Sequence, residues 1–219
     1  MAATVENYVL PSSLYRYRSL EEFDREIGAI EQAYVYCASF EEMNDPMEGL
    51  FNFSALAKKT GHDAKLRAEI RQHRSDIGLA SFSETNDNEL MWAHYANQFK
   101  GICIEYSFYQ LRKSLPDDVE FVRLFYNEKV PTVGKNKKEP IEIAKRILSF
   151  KNYRWLYERE WRMFARRGRV EYADPKVVKK VHIGFRVEPD VEKAIKKRLK
   201  AIGIKTQGMS IKGYGMKFE

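Results

Sequence analysis

The sequence predicts a single α+β domain built on a strongly stranded core, and three observations carry that reading. Short runs rich in Val, Ile, Tyr and Phe recur along the chain, either alternating with polar residues or continuously apolar, as strands require. A few amphipathic helical stretches are interspersed, without the regular strand–helix alternation of doubly wound proteins. The length of 219 residues suits one domain, able to bury roughly 70% of its extended surface. The domain is taken as 1–219, with its core at 14–211 and a central sheet that is mostly antiparallel or mixed.

The first residues are polar and read as loose. Leu14-Tyr15-Arg16-Tyr17-Arg18 alternates as a short strand, Arg16 and Arg18 on one face, Tyr15 and Tyr17 on the other. Ser19 and Glu22 have capping-box spacing ahead of a helix over about 20–31, with Leu20, Phe23, Ile27 and Ile30 as its apolar side. Tyr34–Ala38 is a strand, and Asn44-Asp45-Pro46-Met47-Glu48-Gly49 a turn or ordered loop. A polar helix over about 62–74 carries His62 and His73, neither at metal-ligand spacing. Ile77–Ser83 is a strand with the Ser81 and Ser83 hydroxyls facing one way. A polar turn at Glu84–Asn88 then leads into a short helix at Leu90–Ala96.

Strands follow at Gly101–Tyr106 and Val119–Tyr126, then a lysine-bearing, mobile loop at 131–140 and a helix over about 139–150. Lys151 to Arg154 lead into an acid-bearing strand that includes Tyr157-Glu158-Arg159-Glu160-Trp161-Arg162 and runs on to Ala165. Lys179–Phe185 is a late strand. Pro189–Leu199 is a helix with Pro near its start and basic residues toward its end, and Ile204–Ile211 a last edge strand.

The formal charge of +7 favours acidic partners, nucleic acid among them, or serves as a solvated surface; Lys135, Lys137, Lys138 and the basic residues of 193–200 carry much of it. Cys37 and Cys103 sit in apolar runs and read as buried thiols rather than a disulfide. The sequence has no signal-peptide pattern and no apolar run of membrane-spanning length, so a soluble cytoplasmic protein is expected.

Dinucleotide-fingerprint, phosphate-loop, paired-histidine zinc and Gly-x-Ser-x-Gly patterns are missing. Three polar clusters on expected strands remain: Arg16/Arg18, Ser81/Ser83 and Glu158/Glu160. On one strand the two glutamates face the same way with Arg162 beside them, and packing alone explains buried acids poorly. An arginine can clamp a diphosphate, and serine hydroxyls can fix a sugar or order an acid. A glutamate can stabilise positive charge developing at a sugar carbon. Together they suit cleavage of a nucleotide–ribose bond. The alternative is that these are satisfied structural pairs. His94 is a base or ligand, or bonds a backbone carbonyl; Trp92 and Tyr95 pack in the core, line a pocket, or stack on a flat ring. Asn44, Asp45 and Asn88 read as turn formers.

The Tyr15-Arg16-Tyr17, Asn44–Glu48, Ser81–Glu84, Leu90–Ala96, Gly101–Glu105 and Tyr157–Arg162 motifs resemble a widespread bacterial family of uncharacterised proteins. The order of arginine, Ser-x-Ser and Glu-x-Glu also resembles mono-ADP-ribosyltransferases of the arginine–serine–glutamate type. That resemblance implies an ADP-ribosyltransferase-like split sheet, with NAD as substrate and no metal. It also implies ADP-ribosyl transfer to protein or nucleic acid, or NAD glycohydrolysis, in a toxin or phage-defence effector. By it, Glu160 holds the nicotinamide ribose, Glu158 orients the acceptor and Ser81 supports the site. Arg16 or Arg18, Ser83, Trp92, His94 and Tyr95 bind the dinucleotide. Two rival readings stand beside it. One is a nucleic-acid-binding module with a continuous basic stripe. The other is a metal-dependent nuclease or hydrolase whose Asp45, Glu84, Glu105 and Glu160 converge.

Overall fold

A computed structural model describes residues 9–59, 63–134 and 138–219. Along the chain run β1 (Ser13–Arg18), α1 (Phe23–Glu31), β2 (Tyr34–Cys37), β3 (Asn52–Phe53), α2 (Ala55–Lys59), α3 (Asp63–Asp76), β4 (Ile77–Ser83) and α4 (Glu89–Tyr95). Then come β5 (Ile102–Ser107), α5 (Phe108–Ser114), β6 (Glu120–Arg123), β7 (Phe125–Asn127), β8 (Thr132–Val133), α6 (Pro140–Ile147) and β9 (Phe150–Asn152). The chain closes with β10 (Glu160–Arg166), β11 (Gly168–Glu171), β12 (Val178–Ile183), α7 (Pro189–Ala201), β13 (Lys205–Lys212) and β14 (Gly215–Phe218). The fold is α+β around an eight-stranded mixed sheet of order β14-β13-β12-β5-β1-β4-β10-β6. Its neighbours are antiparallel except β12 and β13, which are parallel and joined through α7.

One face of the sheet carries the main apolar core. Leu14, Ile104, Phe82, Met163 and Val181 pack there with Ile27 and Ile30 of α1, Leu111 of α5, and Ile195 and Leu199 of α7. The other face carries two smaller clusters. Leu79 and Phe164 meet Ile70 of α3 and Ile143 and Ile147 of α6. Tyr17 and Cys103 meet Met91 and Trp92 of α4. Ser81, Ser83, Glu160 and Arg162 share this second face, because Arg162 pairs with Ser81 and Glu160 with Ser83, and antiparallel partners point the same way. Polar side chains therefore occupy part of this face, beside its two apolar clusters.

β1 and β4 are neighbouring inner strands, yet they meet at a single pair, Tyr15 with Ser83. Further along, β4 takes a different partner, Ala38 just after β2, at Leu79. The sheet is thus parted between Ser83 and Leu79.

Several expected boundaries shift. Glu22, not Ser19, precedes α1 and makes no side-chain cap bond; the Ser19 hydroxyl accepts only from the Glu21 N–H. The expected 119–126 strand breaks at Leu124, whose N–H turns to the Glu160 carbonyl, giving β6 and β7. Part of the expected loop at 131–140 is strand: β8 pairs with β3, while Lys135 and Lys137 lie outside the described residues, as do His62 and residues 1–8. β13 is not an edge, since β14 lies outside it. The acid-bearing strand starts only at Glu160. Tyr153–Glu158 is a 3-10 turn, and Arg159 closes it in the left-handed conformation at φ 46°. Cys37 and Cys103 are buried and unbridged, and burial pushes the Cys37 thiol up to about 11. Among the described residues no helix is long and apolar enough to cross a membrane.

Candidate active site

Where β1 and β4 part, a cleft of about 200 Å³ opens. It is lined by Arg16 and Arg18 from β1, Ser81 and Ser83 from β4, Tyr95 from α4, and Lys151, Glu158 and Glu160. Arg16 and Arg18 alternate with Tyr15 and so belong to the sheet face opposite Ser81, Ser83 and Glu160. The parting of the strands lets both sets border one space.

At the carboxylate end five charges are buried together. The Glu48, Glu158 and Glu160 carboxylates, the Lys151 ammonium and the Arg162 guanidinium are each 9% exposed or less. Arg162 spends all five N–H donors. Its Nε and Nη2 bond Glu160 Oε1 at 3.0 and 2.8 Å, Nη1 and Nη2 bond Glu48 at 2.9 and 3.1 Å, and Nη1 also bonds the Leu148 carbonyl at 2.6 Å. Lys151 Nζ donates to Glu158 Oε2 and, at 3.0 Å, to Glu160 Oε2, and lies 3.4 Å from Glu48. Ser81 Oγ donates to Glu160 Oε1 at 2.6 Å, and the Tyr95 hydroxyl to Glu158 Oε1 at 2.5 Å.

Local sequence explains how these groups arrive. In Asn44–Gly49 the Asp45 carboxylate accepts the Met47 N–H, and Glu48 N–H bonds the Asp45 carbonyl, so the turn delivers Glu48 to Arg162. Gly49 follows at φ +68°, where an added Cβ would lie 2.9 Å from Arg74 Nη1. β9 pairs parallel with β7, aligning Lys151 with Tyr126, whose hydroxyl accepts the Glu160 N–H at 2.8 Å. The left-handed Arg159 returns the chain so that Glu158 and Glu160 share Lys151 although only Glu160 is on a strand.

Three carboxylates against two cations leave one excess negative charge, and the acids divide it unequally. Burial pushes the Glu158 carboxyl up to about 6; Lys151 opposes that rise and Glu160 reinforces it. Glu160 is held down at about 2, because Arg162, Lys151 and the Ser81 hydroxyl outweigh its burial. Near neutral pH Glu160 is a fixed anion and Glu158 the acid able to gain or lose a proton.

The arginines differ as well. Arg18 is paired through two bonds, 2.6 and 2.7 Å, with buried Glu26. Arg16 donates Nη2 to the Tyr36 carbonyl at 3.0 Å, lies 5.9 Å from the Phe82 ring, and forms no carboxylate pair among the described residues. Burial and then the neighbouring Arg18 charge lower its pKa. Of the two arginines, then, Arg18 is held in an ion pair and Arg16 only by a backbone carbonyl among the described residues.

Other expected site residues are placed elsewhere. Trp92 has no exposed surface; its indole N–H bonds the Asn86 carbonyl at 2.7 Å and its ring packs on Tyr17 and Phe99, so no ligand can stack on it. His94 is exposed and off the cleft, 6.3 and 6.5 Å from the Tyr95 and Tyr157 rings. Ser83 lines the cleft but donates its hydroxyl to the Glu158 carbonyl at 2.7 Å, a structural task. Asn88 caps α4, accepting from the Leu90 and Met91 N–H groups.

The four acids of the metal-site reading do not form a ligand set: among the described residues no group of three or more His, Cys, Asp and Glu is placed to hold an ion. Glu84 is taken by Arg123 and Arg159, and Glu105 by Lys179 and Ser13. On α7, Lys193, Lys196 and Arg198 are paired with Asp190, Glu192 and the Asp24/Glu31 couple, which interrupts the expected basic stripe. The sequence reading missed Lys151, Glu48, Tyr126 and the partners of Arg162. Only Glu48, inside the Asn44–Gly49 motif, gave a signal.

A family model described as a protein of unknown function, DUF2971, matches residues 91–163. No curated protein and no solved structure matches the chain, so the ADP-ribosyltransferase likeness receives no support from known proteins. The matched segment contains Tyr95, Lys151, Glu158, Glu160 and Arg162. It is in this third of the chain, which supplies most of the buried charge cluster, that the protein is similar to a family of unknown function.

Proposed function

We propose that the cleft binds NAD and that the protein breaks the nicotinamide–ribose bond, passing ADP-ribose to water or to an acceptor nucleophile. The observation that carries this reading is a single cleft with a carboxylate-free arginine, Arg16, on one side and the Glu158/Glu160 pair on the other. A phosphate-bearing sugar linked to a cationic base needs both ends. Among the described residues Glu160 Oε2 accepts only from Lys151, which leaves it acceptor capacity for a ribose hydroxyl. As the glycosidic bond breaks, its electron pair passes to the nicotinamide ring and cancels the ring's charge, so the leaving group needs no acid. The anionic excess of the cluster stabilises the oxocarbenium-like sugar that forms. Glu158, with its pKa near 6, then takes the proton of the attacking water or acceptor. About 200 Å³ is less than a drug-sized ligand pocket, so the cleft holds the ribose end and the rest of the dinucleotide lies outside it.

The test is NAD consumption by purified protein, with and without cell extract or nucleic acid, for wild type, Glu158→Gln and Glu160→Gln. Consumption by the wild type, abolished in Glu160→Gln and stripped of its acid-limb inflection in Glu158→Gln, supports the reading. No consumption under any condition, together with no heat stabilisation by NAD, overturns it.

A further inference from the structure

On the other side of the Tyr15–Ser83 pair lies a second, more open depression of about 490 Å³. Tyr15 borders both hollows, and Ser13, Glu84, Arg123 and Arg159 line this one. The turn that sets Glu158 and Glu160 on the cleft therefore sets the residue between them, Arg159, on its neighbour.

Glu84 sits among donors. It accepts from Arg123 Nε at 2.7 Å and Nη2 at 3.3 Å, Arg159 Nε at 3.1 Å and the Trp161 indole at 2.8 Å. Although burial opposes it, these bonds lower the Glu84 pKa and keep the group ionised. Two guanidiniums thus flank the one carboxylate. The adjoining rim adds a balanced couple: Lys179 donates to Ser13 Oγ at 2.8 Å and pairs with Glu105 at 2.7 Å. Arg159 gives one of its five donors to Glu84, and its other four meet no acceptor among the described residues. Its backbone is left-handed, a conformation disfavoured for a non-glycine residue.

We propose that this depression is a phosphate-binding subsite in which Arg159, with Arg123 beside it, clamps phosphoryl oxygens and Tyr15 borders the anion. A guanidinium fork matches two oxygens of one phosphate, and Glu84 holds the Arg159 guanidinium in place through one donor while its other four stay available. The proposal rests on this rim and does not require the NAD reading. The phosphoryl group belongs either to the diphosphate of a nucleotide seated in the cleft, reached past Tyr15, or to a separate phosphate ligand.

Calorimetric titration of the full chain at low salt tests it, with inorganic pyrophosphate and NAD as probes. The variants are Arg159→Gly, which suits the left-handed turn and so keeps the fold, and Arg16→Ala. Pyrophosphate binding weakened at least about tenfold by Arg159→Gly, and by more than Arg16→Ala weakens it, supports the subsite. If NAD binding weakens in parallel and pyrophosphate competes with it, the anion is the cleft ligand's own diphosphate. If NAD does not bind, or binds both proteins alike, the ligand is separate and the subsite stands. No pyrophosphate binding by the wild type, or loss with Arg16→Ala and not with Arg159→Gly, overturns it.

Discussion

Replacing Lys151 by Met tests the physics of the buried cluster directly. The substitution roughly keeps the volume of a side chain only 9% exposed and removes the ammonium that touches Glu48, Glu158 and Glu160. Wild type buries three carboxylates against two cations; the variant buries three against Arg162 alone, two excess negative charges. Removing one partner of a buried ion pair costs about 3–5 kcal/mol. In a chain of this size each kcal/mol lowers the melting temperature by about 2–4 °C, so a fall of about 6–20 °C is expected near neutral pH. The loss must depend on pH. Lys151 opposes the rise of the Glu158 pKa, which already lies above its ordinary 4.5, so without Lys151 it climbs further. An acid whose folded pKa is raised costs nothing below its unfolded value, and its destabilisation grows as pH rises through the folded one. The variant's deficit should therefore be larger near pH 8 than near pH 5, where only the Glu160 share remains because Lys151 also helps to hold that carboxylate ionised. Thermal melts followed by circular dichroism at both pH values measure this. An equal deficit at the two, or one under about 2 °C at pH 8, would refute the electrostatic account of the cluster.

Three other substitutions separate function from framework. Arg16→Met removes a desolvated cation without a carboxylate partner, so stability should hold or rise by up to about 1 kcal/mol while heat stabilisation by NAD disappears; a variant that melts lower yet responds fully to NAD would mark Arg16 as structural. Gly184→Ala places a Cβ 2.2 Å from the Phe99 carbonyl oxygen, a backbone atom that cannot swing away, and should cost about 1–3 kcal/mol in the urea midpoint; an unchanged midpoint contradicts the packing there. Arg162→Lys keeps the charge but offers three donors where five are used, leaving Glu48 and Glu160 underbonded. Its urea midpoint should drop by the equivalent of about 3–5 kcal/mol, and a wild-type midpoint would deny the five-bond arrangement its importance.

Much of the secondary structure was legible because local pattern controls it. Tyr15 and Tyr17 against Arg16 and Arg18, the β-branched and aromatic Tyr34–Cys37, the apolar Ile77–Phe82 and the Pro-led α7 each declare their element within a few residues. The errors lie where local signals are short or ambiguous. Glu158-Arg159-Glu160 has strand alternation by letter, but the bond from the Arg159 N–H to the Leu156 carbonyl makes it a left-handed turn. The two-residue strands β3 and β8 are too short for any periodicity, and exist because each pairs with the other.

The candidate site divides along the same line. The sequence by itself determined that a one-domain α+β protein carries arginines, serines and glutamates at strand positions where apolar residues would be cheaper. Only the tertiary structure decided their roles. Arg18 is neutralised by Glu26, eight residues on, whereas Arg16 has no such partner among the described residues. Trp92 is sealed in a core formed from distant strands, and His94 is turned outward on the same helix. Lys151 and Glu48, inconspicuous in the sequence, hold the acids. The reason is electrostatic: whether a charge is available for a ligand depends on which opposite charges reach it and how much water remains around it. Both are set by long-range pairing and by the parting of β1 and β4, not by spacing along the chain.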